Sequence, residues 1–127
     1  MTQVGGWQVS VPEPRIVLLT EGARTSPEEV RAEFAAVSRE RQRWQTWVLI
    51  ADLTPAELPD TASRRTLTDE IAALPGLLEM CCVLGGNRLI QGAARFVFRA
   101  RDIRFSFHPD LDAAVQRARS VLAATPE

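Results

Sequence analysis

Lysine is missing altogether: outside the single His108, all 15 basic side chains are arginine. No Schiff-base lysine, phosphate-loop lysine or lysine general base can therefore operate in this chain. Cysteine is scarce, and its two residues are adjacent, Cys81 and Cys82, on what reads as a strand. Neighbouring strand side chains point to opposite faces, so the pair matches neither a redox CxxC nor a metal pair and reads as buried structural thiols. One histidine and scattered carboxylates fall short of a metal site, and no Ser, His and Asp arrangement is signalled; His108, before Pro109, reads as a loop histidine. No apolar run approaches the roughly 18 residues of a membrane span. The start, MTQVGGWQVS, lacks the basic region and apolar core of a secretion signal, so a cytoplasmic protein is expected. The formal net charge is −1 and the arginines form no dominant run, which leaves no nucleic-acid footprint.

What is present is ordinary globular material, 127 residues at 46% hydrophobic and 24% charged. A single domain over residues 1–127 is expected, with its core at about 7–124. A chain of this size buries roughly two-thirds of its unfolded surface and needs no disulfide or structural metal. WQVSV (7–11) and RIVLLTEG (15–22) read as neighbouring strands separated by Pro12, Glu13 and Pro14. Ser26 is a good N-cap, Pro27 takes the first helical position, and Glu29 stands where its carboxylate can reach back to the cap amide. Val30, Phe34, Val37 and Trp44 follow at helical spacing, which predicts a helix over about 27–44. WVLIADL (47–53) is a continuous apolar run, as in a central strand covered on both faces.

A helix over about 62–74 carries Leu67, Ile71 and Leu74, and Pro75-Gly76 ends it. MCCVLG (80–85) is a further strand, Gly85-Gly86-Asn87 a tight turn in which Asn87 can cap a helix from Arg88. That helix carries Leu89, Ile90, Ala93, Phe96 and Val97, with Phe98 near its edge. IRFSF (103–107) alternates with Ile103, Phe105 and Phe107 on one side, and a last helix shows Leu111, Val115, Ala118 and Leu122. The order β-β-α-β-α-β-α-β-α predicts an α/β domain with a mixed, mostly parallel sheet whose first strand is antiparallel.

Few residues offer chemistry. Asp52 stands at the carboxyl end of a central strand, where open α/β sheets place ligand sites; its simpler role is to accept loop hydrogen bonds. VLIADL is locally like the phosphoacceptor strand of response-regulator receivers, but that family needs an acidic pair after the first strand and a lysine after the last, and neither is available. Gly85, Gly86, Asn87 and Arg88 resemble an anion cradle of free backbone amides, a helix start and a forked donor, and equally an ordinary turn with an N-cap. Phe96, Phe98, Phe105 and Phe107 could line an apolar pocket or pack a plain core. Trp7, Trp44 and Trp47 read as packing. Arg39, Arg41, Arg43, Arg64 and Arg65 read as solvated faces, and would suit an acidic partner if the fold clustered them.

The element order, the acidic strand end at VLIADL, and the tail VLGGNRLIQGAARFVFRARDIRFSFHPDLDAAVQRA together resemble the STAS superfamily, named for sulfate transporters and anti-sigma-factor antagonists. The tail is similar to the bacterial STAS-like group related to lipid-transfer Sec14 domains, with Asp110, Leu111 and Asp112 as the opening of the last helix. In STAS antagonists a serine at the start of the second helix, in an Asp-Ser-Ser-Gly motif, accepts phosphate. Laid on LPDTAS, the Asp falls on Asp60 and the first Ser on Thr61, while the usual phosphoacceptor position falls on Ala62 and the Gly on Ser63. The resemblance thus leaves Thr61 and Ser63 as the candidate acceptors; capping of the helix by Asp60 or Thr61 is the simpler role. A phosphate there would add nearly two negative charges beside Arg64 and Arg65.

What the resemblance implies is a non-enzymatic module of bacterial signalling that binds a protein partner, such as a kinase-like regulator, through Asp52, Thr54, Asp60, Arg64 and Arg65. Homo-oligomers are compatible with this, and no cofactor or metal is implied. The Sec14 relationship implies an alternative: a carrier or sensor of a small apolar or anionic ligand at Gly85, Gly86, Asn87 and Arg88 with Phe96 and Phe98, which an enclosed cavity beneath the two phenylalanines would favour.

Overall fold

Strand alternation sorts the apolar residues onto two faces of one sheet. Val17, Leu19, Leu49, Ala51, Met80 and Cys82 point to one side, and Ile16, Val48, Ile50, Cys81 and Val83 to the other. Both sides must therefore be covered. A computed structural model describes residues 2–4, 6–85 and 88–127 and shows how. Six strands, β1 (Thr2–Val4), β2 (Trp7–Glu13), β3 (Ile16–Thr20), β4 (Trp47–Asp52), β5 (Leu77–Val83) and β6 (Phe105–His108), lie side by side in chain order. The β1–β2 and β2–β3 pairs are antiparallel, and β3 to β6 run parallel. This is the expected α/β order with one strand added, β1, which the sequence reading passed over.

Helices α1 (Pro27–Arg41), α2 (Thr61–Ala72) and α3 (Arg88–Ala100) form the crossovers, and α4 (Leu111–Ala123) follows β6. Successive crossovers of one hand, all stepping in one direction, fall on the same face. Accordingly Val30, Phe34, Ile71 and Ile90 share a core with Leu49 and Cys82, while Ala114 and Ala118 of α4 pack with Val48 and Cys81 on the other face.

The starts of α1, α2 and α4 are specified locally. Ser26 Oγ accepts from the Glu29 amide at 3.2 Å, Asp60 Oδ1 from Ser63 at 2.7 Å, and Asp110 Oδ1 from Ala113 at 2.9 Å. Glu29 does not complete the expected reciprocal cap: its Oε2 is buried with no partner. The first helix stops at Arg41, short of Trp44, because Arg41 folds its Nη2 onto the Trp44 carbonyl at 2.7 Å and turns the chain toward β4. The chain after α2 needs Gly76: its φ is +77°, and a Cβ there would lie 1.9 Å from the Gln45 carbonyl oxygen.

Two apolar stripes differ from expectation. In α4 the buried positions are Ala114 and Ala118, while Leu111 is exposed; short side chains let the helix sit close on the sheet. In α3 the apolar residues outnumber one face. Ile90, Val97 and Phe98 take the sheet side, and Leu89 and Phe96 are left in solvent. Phe98 stacks against Phe105, and Phe105 against Phe107, each pair 5.3 Å between centroids.

Candidate functional site

The parallel strands end together, with Thr20 beside Asp52 and Asp52 beside Val83, so the loops after β3, β4 and β5 cluster at one rim of the sheet. Asp52 is committed locally: Oδ1 accepts the Thr54 amide at 3.0 Å, and its carbonyl accepts the Glu21 amide at 3.0 Å. The loop between β4 and α2 is held by Leu53 N–H to Val83 O at 2.8 Å and Glu57 N–H to Ala23 O at 2.8 Å. Arg24 and Glu57 add an exposed ion pair at 3.2 Å, of the kind that contributes little. Gly85 closes on this loop. Its φ is +54°, and a Cβ would stand 3.1 Å from Thr54 Cγ2, so the approach requires glycine.

At the start of α2 the backbone and side-chain bonds of Ser63 hold the Asp60 carboxyl below its usual range, with Arg64 adding to the effect. Thr61 and Ala62 face outward, and Thr61 Oγ1 receives Arg64 Nη2 at 3.4 Å. Ser63 is different. It is fully buried, with its hydroxyl donating to the Thr25 carbonyl at 3.4 Å, and this removes it as an accessible phosphoacceptor. The position that the resembled motif phosphorylates is exposed and carries the methyl of Ala62. Thr54, Asp60 and Arg65 are exposed, Asp52 and Arg64 half-buried, and Leu58 in the same loop is an exposed apolar side chain that sequence reasoning missed.

The second expected set lies at the start of α3 and along it. Arg88 opens α3 in an exposed position, and Gly86 and Asn87 lie outside the described residues. Phe96 is 76% exposed and borders only a shallow surface depression with Arg95 and Arg99, whereas Phe98 lines an interior cavity. A cavity of about 80 Å³ lies between the sheet and α1, α2 and α3, with Leu19, Ala51, Ile71 and Phe98 in its wall and Glu57, Pro59 and Arg64 near its rim.

Glu21, immediately after β3, also borders this cavity, and Glu33 on α1 is buried beside it. Burial raises the Glu33 pKa strongly, and its hydrogen bond with Glu21 and the charges of Glu21 and Glu29 raise it further. Burial also raises Glu21, against the hydrogen bond from Glu33. Glu33 therefore keeps its proton at neutral pH. The sequence signal was available only in outline, as Glu29 and Glu33 one helical turn apart.

On the opposite face, Glu79 of β5 accepts from Ser106 Oγ at 2.7 Å, and Ser106 Oγ lies 2.7 Å from His108 Nε2. His108 thus ends β6 within a network instead of standing in a loop; burial depresses its pKa, with Glu79 and Asp110 opposing. With Ser106 donating to Glu79, the histidine is a donor to Ser106 and so does not act as the base of that hydroxyl. Burial pushes the Cys81 thiol up to about 12 and Cys82 higher still, so neither is a nucleophile at neutral pH. Among the described residues no group of three His, Cys, Asp or Glu side chains could hold a metal ion, and no helix is long and apolar enough to cross a membrane.

No family model matches the chain, and no curated protein matches it in sequence. A crystal structure of an anti-sigma factor antagonist from Mycobacterium paratuberculosis is similar, with a TM-score of 0.58 and 16% identity over 89% of this chain and 92% of that one. The chain has the fold of that antagonist, the STAS fold that its sequence resembles.

Proposed function

We propose that the chain is a non-enzymatic regulatory module, a single bacterial cytoplasmic domain over residues 1–127, that docks a protein partner on the loop from Thr54 to Asp60 and the first turn of α2. The observation that carries this reading is the Asp60-capped start of α2, where Thr61 and Ala62 face solvent beside Arg64 and Arg65 and Leu58 is exposed three residues earlier. Side chains at a helix start on a rigid sheet rim suit recognition, because the backbone beneath them is held at Asp52, Glu57 and Ser63. The likeness to an anti-sigma factor antagonist supports a kinase-like regulator as the partner. Phosphate on Thr61 would place negative charge against Arg64 and alter that surface by local electrostatics.

The test is a photo-crosslinking residue placed at Leu58 and, as a control, at Arg119 on α4, in protein expressed in its native cells. Adducts with a kinase-like protein from Leu58 alone support the reading. Adducts from Arg119 alone, or turnover of a small molecule that Asp52→Ala abolishes, sink it.

A further inference from the structure

Helix α3 turns Ile90, Val97 and Phe98 into the core, while Leu89 is 73% and Phe96 76% exposed, two turns apart on its outer side. Between them stands Gly92, also exposed. The fold itself does not call for a glycine there: a Cβ would meet nothing within 4 Å, and Gly92 is not among the residues with positive φ. Glycine inside a helix lowers its stability, and its usual uses are a special backbone angle or the close approach of another group. The first does not apply, which leaves the second. Gly92, Arg95, Phe96 and Arg99 border a shallow depression with Ala100. Four residues at that spacing, i, i+3, i+4 and i+7, form the hole that takes one side chain of a facing helix.

The charge of this face has one sign. Arg88, Arg95 and Arg99 are the charged residues of α3, all exposed, and the helix carries no Asp or Glu. Among the described residues none of the three joins an ion pair, whereas Arg101, just beyond the helix, is already paired with Asp69. Arg95 lays its guanidinium over the Phe107 ring, 5.4 Å from the centroid, which fixes its direction without neutralising it. We propose that the outer face of α3 packs against an acidic amphipathic helix of a partner protein. One apolar side chain of that helix sits over Gly92 between Leu89 and Phe96, and its carboxylates face Arg88, Arg95 and Arg99.

Two other occupants fit less well. A second copy of the same face would bring arginines onto arginines, which like charges oppose. An anionic bilayer offers no side chain for the hole at Gly92, and a surface that wide meets the charge of the whole chain, formally −1, where a narrow helix meets the three arginines of α3. These residues are not those at the start of α2, and a helix can bind here whether or not a partner docks there.

The experiment is an amide NMR titration of the whole chain with a stapled three-heptad peptide carrying Leu at a and d and Glu at e and g, against the same peptide with Lys at e and g. The Glu peptide should shift α3 amides saturably, with a dissociation constant of roughly 0.1 mM at low salt for so small an interface. The Lys peptide should bind at least tenfold more weakly. Phe96→Gln and Gly92→Gln, at exposed positions, should each weaken the Glu peptide tenfold or more, and Arg88→Glu combined with Arg99→Glu should reverse the preference between the two peptides. Equal binding of the two peptides, affinity within twofold of wild type in both Phe96→Gln and Gly92→Gln, no saturable shift, or shifts confined to other elements would each overturn the proposal. So would a dimer of the chain alone that Phe96→Gln dissolves, or sedimentation with phosphatidylcholine and phosphatidylserine vesicles that Phe96→Gln abolishes, since either would give this face to another occupant.

Discussion

Arg117 on α4 grips Glu79 on β5 through two parallel hydrogen bonds, Nε to Oε2 at 2.8 Å and Nη2 to Oε1 at 2.7 Å. Glu79 is 1% exposed, so this fork fastens α4 to the face of the sheet that the three crossover helices leave open. Burial works against ionising Glu79, yet the Arg117 and Ser106 bonds and the Arg117 charge together hold its carboxyl below the ordinary 4.5.

Removing the guanidinium leaves a buried charge unpaired. Arg117→Met should destabilise the fold by about 2–4 kcal/mol, less than a fully buried pair would lose because the arginine is half exposed. The folded pKa of Glu79 is depressed, so the contribution is fully present above the ordinary value and is lost as pH falls through the lower, folded value. Urea denaturation between pH 7 and pH 3 checks both points: Arg117→Met should be less stable at pH 7 and flatter with pH. Equal stability at pH 7 would count against the strut.

Glu33 gives the opposite sign. Its folded pKa is raised above 4.5, so the folded state binds the extra proton and stability declines as pH rises above the ordinary value. Glu33→Gln keeps the shape and removes that decline. It should gain about 1–3 kcal/mol at pH 8 and show little difference at pH 4, read from thermal midpoints at the two pH values.

Gly76→Ala should lose about 2–4 kcal/mol, because a Cβ meets the Gln45 carbonyl oxygen and the backbone is left-handed there. Gly92→Ala, in an exposed helix position with nothing within 4 Å, should gain up to about 1 kcal/mol. Denaturant midpoints of the two variants, measured side by side, separate the cases.

Ala62→Ser restores a hydroxyl at the position phosphorylated in the resembled motif, on an exposed turn, and should change stability by less than about 0.5 kcal/mol. Incubated with the proposed kinase-like partner and ATP, it should gain a phosphate at residue 62 by intact-mass and fragment spectra, whereas on this turn the wild-type chain has Thr61 as its exposed hydroxyl. Phosphate on buried Ser63 would show that this turn opens in solution.

Much of the fold was legible because its signals are local. Ser26, Asp60 and Asp110 cap helices wherever they stand before a periodic run, and the apolar runs at 47–53 and 80–85 have the length and composition of covered strands. The Asp60 cap at the start of α2 was legible for the same reason. Ser63 misled, since a hydroxyl in a helix's first turn carries no mark of which way the turn will face. Phe96 and Leu89 misled because α3 has more apolar residues than one face can bury.

The sequence by itself determined the order of strands and helices from β2 onward, the absence of any lysine chemistry, and the methyl where a phosphoacceptor is usual, since these depend on residue identity and near-neighbour spacing. Only the tertiary structure decided that Glu79 meets Arg117 from 38 residues away, that Glu21 meets Glu33 beside a cavity, and that Ser106 of β6 meets Glu79 of β5. Those pairings arise when crossovers stack distant segments on one sheet, and burial, which sets their charges, exists only after that stacking.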